Sequence, residues 1–376
     1  MLAAPFLAAA LAVRAEARPD MRILIGIAHK VASLVLKPDG RFALIDSSDG
    51  ARGFLANHQS YRLEVVRAGL RLGSLALSGE ARLKPEKPTD TILIGKRRYQ
   101  GDLILKRNED GTVTVVDELG IEDYLLGVLP NEMDAAWPIE SLKAQAVVAR
   151  TFAYSHLGKF KKSGFDLTPD TRSQMYLGIG EAPPSVKTAV EKTRGEVLGY
   201  KGALLDVYYH ASCGGHTTDP ASVWGDTIKP PKPLQGVRDR TCAASPHNGW
   251  SVFFPDEDLL AALRPGTLDS GPLKSIKVAS RGSGGYATSF KARIDRDDVI
   301  VGANAFRSRL GSSDLKSVLI TKIVKRKGGF EFYGAGSGHG VGLCQWGARL
   351  QAQSGKRYEK ILKFYFPGST LSVVDQ

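Results

Sequence analysis

The sequence predicts an α+β protein, a β-rich chain with one long central helix that carries the candidate catalytic motif. Two observations lead to this class. Short apolar segments bounded by Gly, Asp, Pro or Asn recur through the first third of the chain, which is typical of strands. Farther on, apolar residues recur at spacings of three and four over 139–153, which indicates an amphipathic helix. The length of 376 residues suggests one large or two medium domains.

The N-terminus has the features of an export signal. Residues 2–13 are nearly all apolar, and Ala15-Glu16-Ala17 has the pattern of an A-x-A cleavage site. We therefore expect 1–17 to be a signal peptide and the mature chain to be exported to the cell envelope, the periplasm or the extracellular space. A true start at Met21 is the alternative. No later segment has the length needed to span a membrane, so no stable span is expected after cleavage.

The region 18–112 is expected to be a small β-rich domain without chemistry of its own. Asp39-Gly40 is a turn signal between two apolar segments. The predicted strands are 21–27, 31–36, 75–77, 91–94, 102–105 and 113–116.

The formal charge of +12 predicts an anionic partner. Nucleic acid is disfavoured, because the sequence contains no helix-turn-helix, zinc-finger spacing or RNP-like run. A cell-wall polymer with carboxylates or phosphates would attract the same charge, as would a membrane surface.

The stretch 126–156 organises the chain. Pro138 suits the first position of a helix, Glu140 suits its positive end, and Gly158 is a plausible stop. A shorter helix that ends before Pro130 is expected just upstream. Glu132 would then lie on a Pro-Asn turn, where a carboxylate can face a ligand; a solvated loop glutamate is the alternative.

Three motifs in this order resemble the SpoIID/LytB family, which comprises the sporulation stage II protein D and the amidase enhancers. The first is LGVLPNEM at 126–133, followed by LKAQAVVART at 142–151. The second is a Gln-x-Tyr stretch at 174–176 and a His-x-x-x-Gly-Gly block at 210–215. The third is GSGHGVG at 336–342 with QWGA at 345–348. The resemblance covers 113–376, with an irregular insertion near 213–250.

The resemblance implies a peptidoglycan lytic transglycosylase. Such an enzyme cleaves the bond between N-acetylmuramic acid and N-acetylglucosamine, and the substrate's own C6 hydroxyl closes a 1,6-anhydro ring. One carboxyl group, Glu132, then acts as both acid and base. Asp134 and Glu140 are candidate second carboxylates. The alternative is a non-catalytic, wall-binding activator of an N-acetylmuramoyl-L-alanine amidase. The candidate glycan-binding residues are Arg150, Gln174, Tyr176, His210, His339 and Gln345.

No metal or other cofactor is predicted. Some family members hold zinc with cysteines near the Gln-x-Tyr stretch, but here that neighbourhood has Thr168 and Ser173. Cys213 and Cys242 are expected to lie close together, as a disulfide, as free thiols or with His210, His216 and His247 at a zinc ion, while Cys344 stays unpaired.

The C-terminal third is predicted to hold strands at 273–278, 290–294, 318–324 and 329–333, and a helix over 298–310. The glycine run 334–342 lacks the residues of a nucleotide-binding loop. Alternate glycines let a backbone pass close to a ligand or another chain. We therefore expect His339 to line one cleft with Glu132, against the alternative of a packed, structural histidine.

Overall fold

The computed structural model describes residues 21–180, 182–225, 229–266 and 271–374. The predicted signal peptide, 1–17, lies outside the described residues. About 26% of the chain is helix and 38% is strand, which confirms the α+β class.

The chain forms two compact units, which we call the first and second unit. Of the described residues, the first contains those within 21–137, 149–206 and 372–374, and the second contains those within 138–148 and 207–371. The boundary expected near 112 between a β-rich region and a family region stays a prediction.

The N-terminal part of the first unit consists of two six-stranded antiparallel sheets, which contact each other through strands of both. The strands are β1 (Arg22–Val31), β2 (Ser33–Asp39), β3 (Phe42–Asp46), β4 (Gly50–Leu55), β5 (Tyr61–Val66), β6 (Gly69–Leu72), β7 (Leu75–Leu77), β8 (Glu80–Pro85), β9 (Thr91–Ile94), β10 (Arg97–Tyr99), β11 (Asp102–Arg107) and β12 (Val113–Gly120). The sheet orders are β1-β12-β11-β8-β3-β4 and β10-β9-β2-β5-β6-β7.

Alternating side chains build the core of these sheets. In β11, Leu103 and Leu105 are fully buried, while the residues between them are partly exposed. The turn at Asp39-Gly40 is present, with Gly40 at φ +122°. It does not close a hairpin, because β2 pairs with β5 and β9 whereas β3 pairs with β4 and β8. The turn therefore connects the two sheets.

Three helices and a hairpin follow. They are α1 (Ile121–Glu132), α2 (Ile139–Ser155), α3 (Pro184–Lys192), β13 (Glu196–Tyr200) and β14 (Ala203–Leu204). The predicted long helix is confirmed as α2. It starts directly after Pro138, whose carbonyl accepts a hydrogen bond from the N–H of Ser141 at 2.9 Å. Residues up to Val148 of this helix belong to the second unit, and the rest belong to the first.

The second unit combines short sheets with helices. Its strands are β15 (Tyr209–His210), β16 (Trp250–Pro255), β17 (Leu273–Arg281), β18 (Ala287–Ile294), β19 (Asp297–Gly302), β20 (Ile320–Arg326), β21 (Gly329–Gly334) and β22 (Leu343–Cys344), and the chain ends on β23 (Thr370–Val373). Its further helices are α4 (Pro220–Trp224), α5 (Asp256–Leu263), α6 (Ala303–Leu310), α7 (Gln345–Gln353) and α8 (Tyr358–Tyr365).

An aromatic core fills part of the second unit. Phe290, Phe306 and Phe332 are fully buried and contact one another. The helix predicted over 298–310 is wrong in its first part, because β19 occupies Asp297–Gly302. Its β-branched run at 299–301 pairs with β18, and sheet pairing outweighs the helical pattern there.

Among the described residues, no helix combines the length and the apolar character needed to cross a bilayer.

Candidate functional site

Helix α1 positions Glu132 as its last residue. The apolar side chains of Tyr124, Leu125 and Val128 are fully buried, which anchors one face of the helix. The helix does not end before Pro130 as predicted, and Glu132 does not lie on a turn. A proline so near the C-terminal end removes only one hydrogen bond, and the side-chain amide of Asn131 donates to a carbonyl one turn earlier at 2.7 Å.

A loop on the other side of Glu132 holds its carboxylate. The backbone N–H of Met175 donates to Glu132 Oε1 at 2.8 Å. The preceding Gln174 accepts a hydrogen bond from the hydroxyl of Tyr124 at 3.2 Å, which ties the same loop to α1. Glu132 as a residue is partly exposed, and the hydrogen bond from Met175 fixes the direction of its carboxylate.

Tyr176 holds this loop in place through a buried side chain. It is fully buried, and its hydroxyl donates to Asp117 Oδ2 at 2.7 Å. Its ring lies 5.2 Å from that of Tyr124. Gly127 leaves room for this packing, since a Cβ there would lie 2.5 Å from the Tyr176 ring. Gln174 and Tyr176 were predicted to bind glycan; in this structure both are buried and support the loop that holds Glu132.

Asp117, at the base of this group, was not among the predicted site residues. Burial raises the pKa of its carboxyl to about 7, against the opposing hydrogen bond from Tyr176. The sequence shows only that Asp117 follows the apolar residues of β12, and the structure adds that its position is fully buried.

Arg150, predicted to bind glycan, forms a buried ion pair within the first unit in this structure. Its side chain is fully buried and makes a bidentate ion pair with Glu122 of α1, with N–O distances of 2.6 and 2.9 Å. It also donates to the carbonyls of Glu196 and Val190. Arg150 therefore connects α2 to α1, α3 and β13, and its guanidinium does not face solvent.

The two further carboxylates predicted as candidates accept hydrogen bonds from other residues. Asp134 accepts a hydrogen bond from the N–H of Ala136 at 2.9 Å, which is a self-contained turn. Glu140 accepts hydrogen bonds from Lys143 at 2.7 Å and from the N–H of Tyr358 at 2.8 Å. Burial raises the pKa of Glu140, but these hydrogen bonds outweigh it and hold the pKa below its usual value.

In the second unit, His339 is part of an aromatic group with Tyr208, His210 and Trp224. The His339 ring lies 5.6 Å from the His210 ring and 5.4 Å from the Trp224 ring. Trp224 is 42% exposed, so the group reaches the surface. Such a partly exposed aromatic surface suits contact with sugar faces.

Both histidines of this group are neutral near pH 7. Burial lowers the pKa of His210 to about 4, and burial with the neighbouring His210 and Arg307 lowers the pKa of His339 to about 3. His210 Nδ1 lies 3.0 Å from the carbonyl of Val341, whose N–H donates to His339 Nδ1 at 3.1 Å. His210 Nε2 is buried and has no hydrogen-bond partner among the described residues.

The glycine run passes close to its own chain. A Cβ at Gly342 would lie 2.1 Å from the carbonyl oxygen of Tyr208, one at Gly338 would lie 2.8 Å from His210, and one at Gly340 would lie 2.5 Å from Tyr286. These contacts account for the glycines without a ligand. The prediction explained them by a ligand or another chain; here the close partner is a neighbouring segment of the same unit.

The predicted proximity of Cys213 and Cys242 is confirmed. Their sulfur atoms lie with those of Cys344 and a carboxylate oxygen of Asp239 within 4.8 Å of one another, all of them buried. All three cysteines are free thiols in this structure. Cys344, expected to stand alone, belongs to the same group. His216, one of the histidines considered with them, contacts the carbonyl of Thr217.

Gln345 directly follows Cys344 and begins α7. Its side chain is 6% exposed, and its amide nitrogen has no partner among the described residues. Its predicted glycan contact stays a prediction. So does the prediction that Glu132 and His339 line one cleft, because these residues belong to different units.

Fold and site thus describe an α+β protein with a directed, accessible glutamate at a helix end, and comparison with known proteins gives its family. Residues 109–200, from the end of the β-rich part to β13, match the family described as stage II sporulation protein. The chain is 39% identical over 287 residues to an uncharacterised protein of Brachyspira hyodysenteriae, covering 76% of this chain and 75% of that protein. The chain belongs to the SpoIID/LytB family.

Two further relatives have descriptive names. The amidase enhancer of Bacillus subtilis is 28% identical over 88% of this chain, and the match spans 52% of the enhancer, about half its length. The stage II sporulation protein D of the same organism is 26% identical over 69% of this chain and 76% of that protein. The predicted resemblance is confirmed at the level of the family.

Proposed function

We propose that this protein is a peptidoglycan lytic transglycosylase with Glu132 as its only acid/base. Family membership supports a function related to the cell wall. The observation that carries the finer proposal is the geometry of Glu132. It is partly exposed, it ends a helix anchored by buried side chains, and it accepts a hydrogen bond from Met175. This geometry lies within the matched segment 109–200.

The chemistry needs two proton transfers through one carboxyl group. Glu132 first protonates the glycosidic oxygen as the bond to it breaks. Its carboxylate then accepts the proton of the substrate's C6 hydroxyl as that oxygen attacks the anomeric carbon and closes the 1,6-anhydro ring. No water is consumed, so no second carboxylate is needed to activate one, in contrast to ordinary glycosidases. The local partners of Asp134 and Glu140 agree with a single-carboxylate mechanism.

The surroundings of Glu132 suit a group that alternates between two protonation states. The C-terminal end of a helix carries partial negative charge, which disfavours a second negative charge beside it. The N–H of Met175 points at one carboxylate oxygen and stabilises the ionised form.

Digestion of purified peptidoglycan with mass analysis of the products tests this function. Products that end in 1,6-anhydro-N-acetylmuramic acid are expected from the full chain, and fewer by roughly 10²-fold or more from a folded Glu132→Gln variant. Products with reducing ends would indicate hydrolysis in place of lytic cleavage and would contradict the proposal.

The second candidate function is activation of a cell-wall amidase without catalysis. The specific observation in its favour is the match to an amidase enhancer over 88% of this chain. In that case the chain alone would release no products, but it would accelerate digestion by an added amidase, and Glu132→Gln would leave the acceleration unchanged.

A further inference from the structure

Three separate segments of the second unit bring four metal-binding side chains together. Cys213 follows β15, Asp239 and Cys242 lie at a 3₁₀ turn over Thr241–Ala244, and Cys344 ends β22. All four are fully buried, and one ligand atom from each lies within 4.8 Å of all the others. The chain has three cysteines in total, and all of them are in this cluster.

Two of the six distances among the four ligand atoms match tetrahedral geometry, and all six are within 4.8 Å. Zinc–sulfur bonds of about 2.3 Å at tetrahedral angles place two sulfurs roughly 3.7 Å apart, and a sulfur and a carboxylate oxygen roughly 3.5 Å apart. In the structure, the sulfurs of Cys242 and Cys344 are 3.5 Å apart, and Cys213 Sγ is 3.7 Å from Asp239 Oδ2.

Hydrogen bonds around the cluster are arranged to stabilise negative charge. The backbone N–H groups of Cys213 and Gly347 donate to Cys344 Sγ at 3.2 and 3.3 Å. The Tyr365 hydroxyl donates to Asp239 Oδ2 at 2.6 Å. Donors that point at ligand atoms orient metal ligands and tune their charge. The Gly347 N–H also belongs to the first turn of α7, the positive end of that helix.

Within the part of the chain that the structure describes, the buried carboxylate of Asp239 forms no ion pair with a cationic side chain. The ion pairs of the described residues do not include Asp239, although its side chain is fully buried. A buried carboxylate is normally paired with a cation or bound to a metal. Its position beside three sulfurs makes a metal ion the matching cation.

We propose that Cys213, Asp239, Cys242 and Cys344 bind one Zn²⁺ ion in a structural site. Four protein ligands close the coordination sphere, which is the arrangement of structural rather than catalytic zinc. Binding displaces the thiol protons to solvent, and the three thiolates with the carboxylate supply all four bonds. The site is separate from the Gln-x-Tyr neighbourhood at 168–176, which contains no cysteine.

The ion would hold together the part of the second unit that carries predicted glycan contacts. Cys344 is paired with His210 between the parallel strands β15 and β22, and Gln345 follows it directly. Zinc would therefore fix the backbone segments that carry the His210 and Gln345 side chains. This inference does not depend on whether the chain cleaves glycan.

A disulfide is the competing use of these residues. A disulfide requires a sulfur–sulfur distance of about 2.05 Å, whereas Cys242 and Cys344 are 3.5 Å apart. Any disulfide among three cysteines would leave one free thiol and would leave Asp239 buried beside it. Zinc uses all four groups.

The first experiment uses the full chain, purified without a metal-chelating tag and loaded with Zn²⁺ under reducing conditions. Metal analysis is expected to find about one zinc per chain, and X-ray absorption is expected to find three sulfurs at about 2.3 Å and one oxygen at about 2.0–2.2 Å. Three alkylatable thiols without bound zinc, or a disulfide seen by mass spectrometry of the chain as first purified, would overturn the proposal.

Matched variants identify the ligands. Cys242→Ser and Cys344→Ser are expected to lose bound zinc, and Asp239→Asn to weaken zinc binding at least ~10-fold. Ser317→Ala, which removes an equally buried hydroxyl elsewhere in the second unit, is the control and should keep its zinc. Unchanged zinc affinity in Asp239→Asn would remove Asp239 from the site. Because a serine variant could also fail to fold, the sulfur count from X-ray absorption of the unaltered chain decides independently.

Discussion

At the scale of single residues, Glu132 differs from the other acidic groups near it by its surroundings. Asp134 accepts a hydrogen bond from the N–H of Ala136, and Glu122 forms a buried ion pair with Arg150. Glu132 has a backbone donor on one oxygen and remains partly exposed. A directed, accessible carboxylate of this kind is the group to which a proton-transfer role is assigned.

We predict that Glu132→Gln lowers glycan cleavage by roughly 10²-fold or more, because the amide keeps the shape but cannot transfer a proton. Turnover on purified peptidoglycan is the measurement, with circular dichroism to confirm the fold. Asp134→Asn is the matched control, since its amide oxygen can still accept from Ala136. Turnover of Glu132→Gln like that of the unaltered protein would exclude Glu132 as the acid/base.

Asp117 leads to a prediction about pH. Because burial raises the pKa of this carboxyl to about 7 in the folded chain, from about 3.9 when unfolded, the folded state binds more protons between these values. Stability contributed by the neutral carboxyl is therefore present at acidic pH and is lost as pH rises towards 7. Asp117→Asn should remove this contribution.

Urea unfolding of both proteins at pH 5 and pH 8 checks this. From pH 5 to pH 8, the free energy of unfolding of the unaltered protein should fall by roughly 2–3 kcal/mol more than that of the variant. The comparison cancels other titrating groups, including His210 and His339, whose lowered pKa values act in the opposite direction. Equal pH dependence in the two proteins would show that Asp117 does not carry the shifted proton.

At the scale of elements, the pair Glu122–Arg150 connects α1 and α2. We predict that Arg150→Met destabilises the fold by about 3–5 kcal/mol, because it leaves a buried carboxylate unpaired. The double variant with Glu122→Gln should recover part of this loss. The measurement is the free energy of unfolding in urea.

The control is Arg172→Met, which breaks an exposed ion pair with Asp170 and should cost less than ~1 kcal/mol. If Arg150→Met were as stable as this control but lost glycan binding, the buried pair would not be the reason for the arginine.

The glycine run allows a second prediction at this scale. Gly342→Ala should destabilise the second unit by several kcal/mol or prevent folding, since φ is +74° and the new Cβ would meet the Tyr208 carbonyl at 2.1 Å. Gly355→Ala has a similar φ of +84° but no neighbouring atom within 4 Å, and we expect it to cost about 1 kcal/mol. Thermal unfolding measures the stability of both variants. An equal loss of stability in the two would mean that close packing is not the reason for glycine at position 342.

At the scale of the whole molecule, the formal charge of +12 and the family membership favour an anionic cell-wall polymer as partner. Both proposed functions require binding to such a polymer, so binding alone does not separate them. The released products do.

We predict that a crystal structure with a bound glycan fragment shows Glu132 and His339 facing one groove. The reason is that each lies in a stretch whose sequence resembles the family, although the two are far apart in sequence. The measurement is the distance from the Glu132 carboxylate to the His339 ring. A separation beyond about 15 Å, or a glycan that contacts one residue and not the other, would remove His339 from the site. At such a distance His339 could not position the sugar whose bond Glu132 protonates.

Local sequence patterns determined much of the secondary structure of this protein. The spacing of apolar residues predicted α2, because that signal acts within a few residues. The same information failed at Asp297–Gly302, where pairing with β18 overrides the helical pattern, and at Pro130, where α1 continues. The resemblance to the family selected Glu132 as the candidate acid/base without any geometry.

Only the tertiary structure decided which polar side chains are accessible and which are used internally. Arg150, Gln174 and Tyr176 lie in the family motifs, yet all three are buried and hold other residues in place. Asp239 and Cys344 could not be grouped with Cys213 from their spacing, because more than a hundred residues of folded chain bring Cys344 to the cluster. Burial and long-range contact depend on how distant segments pack, and a sequence pattern reports only on neighbours along the chain.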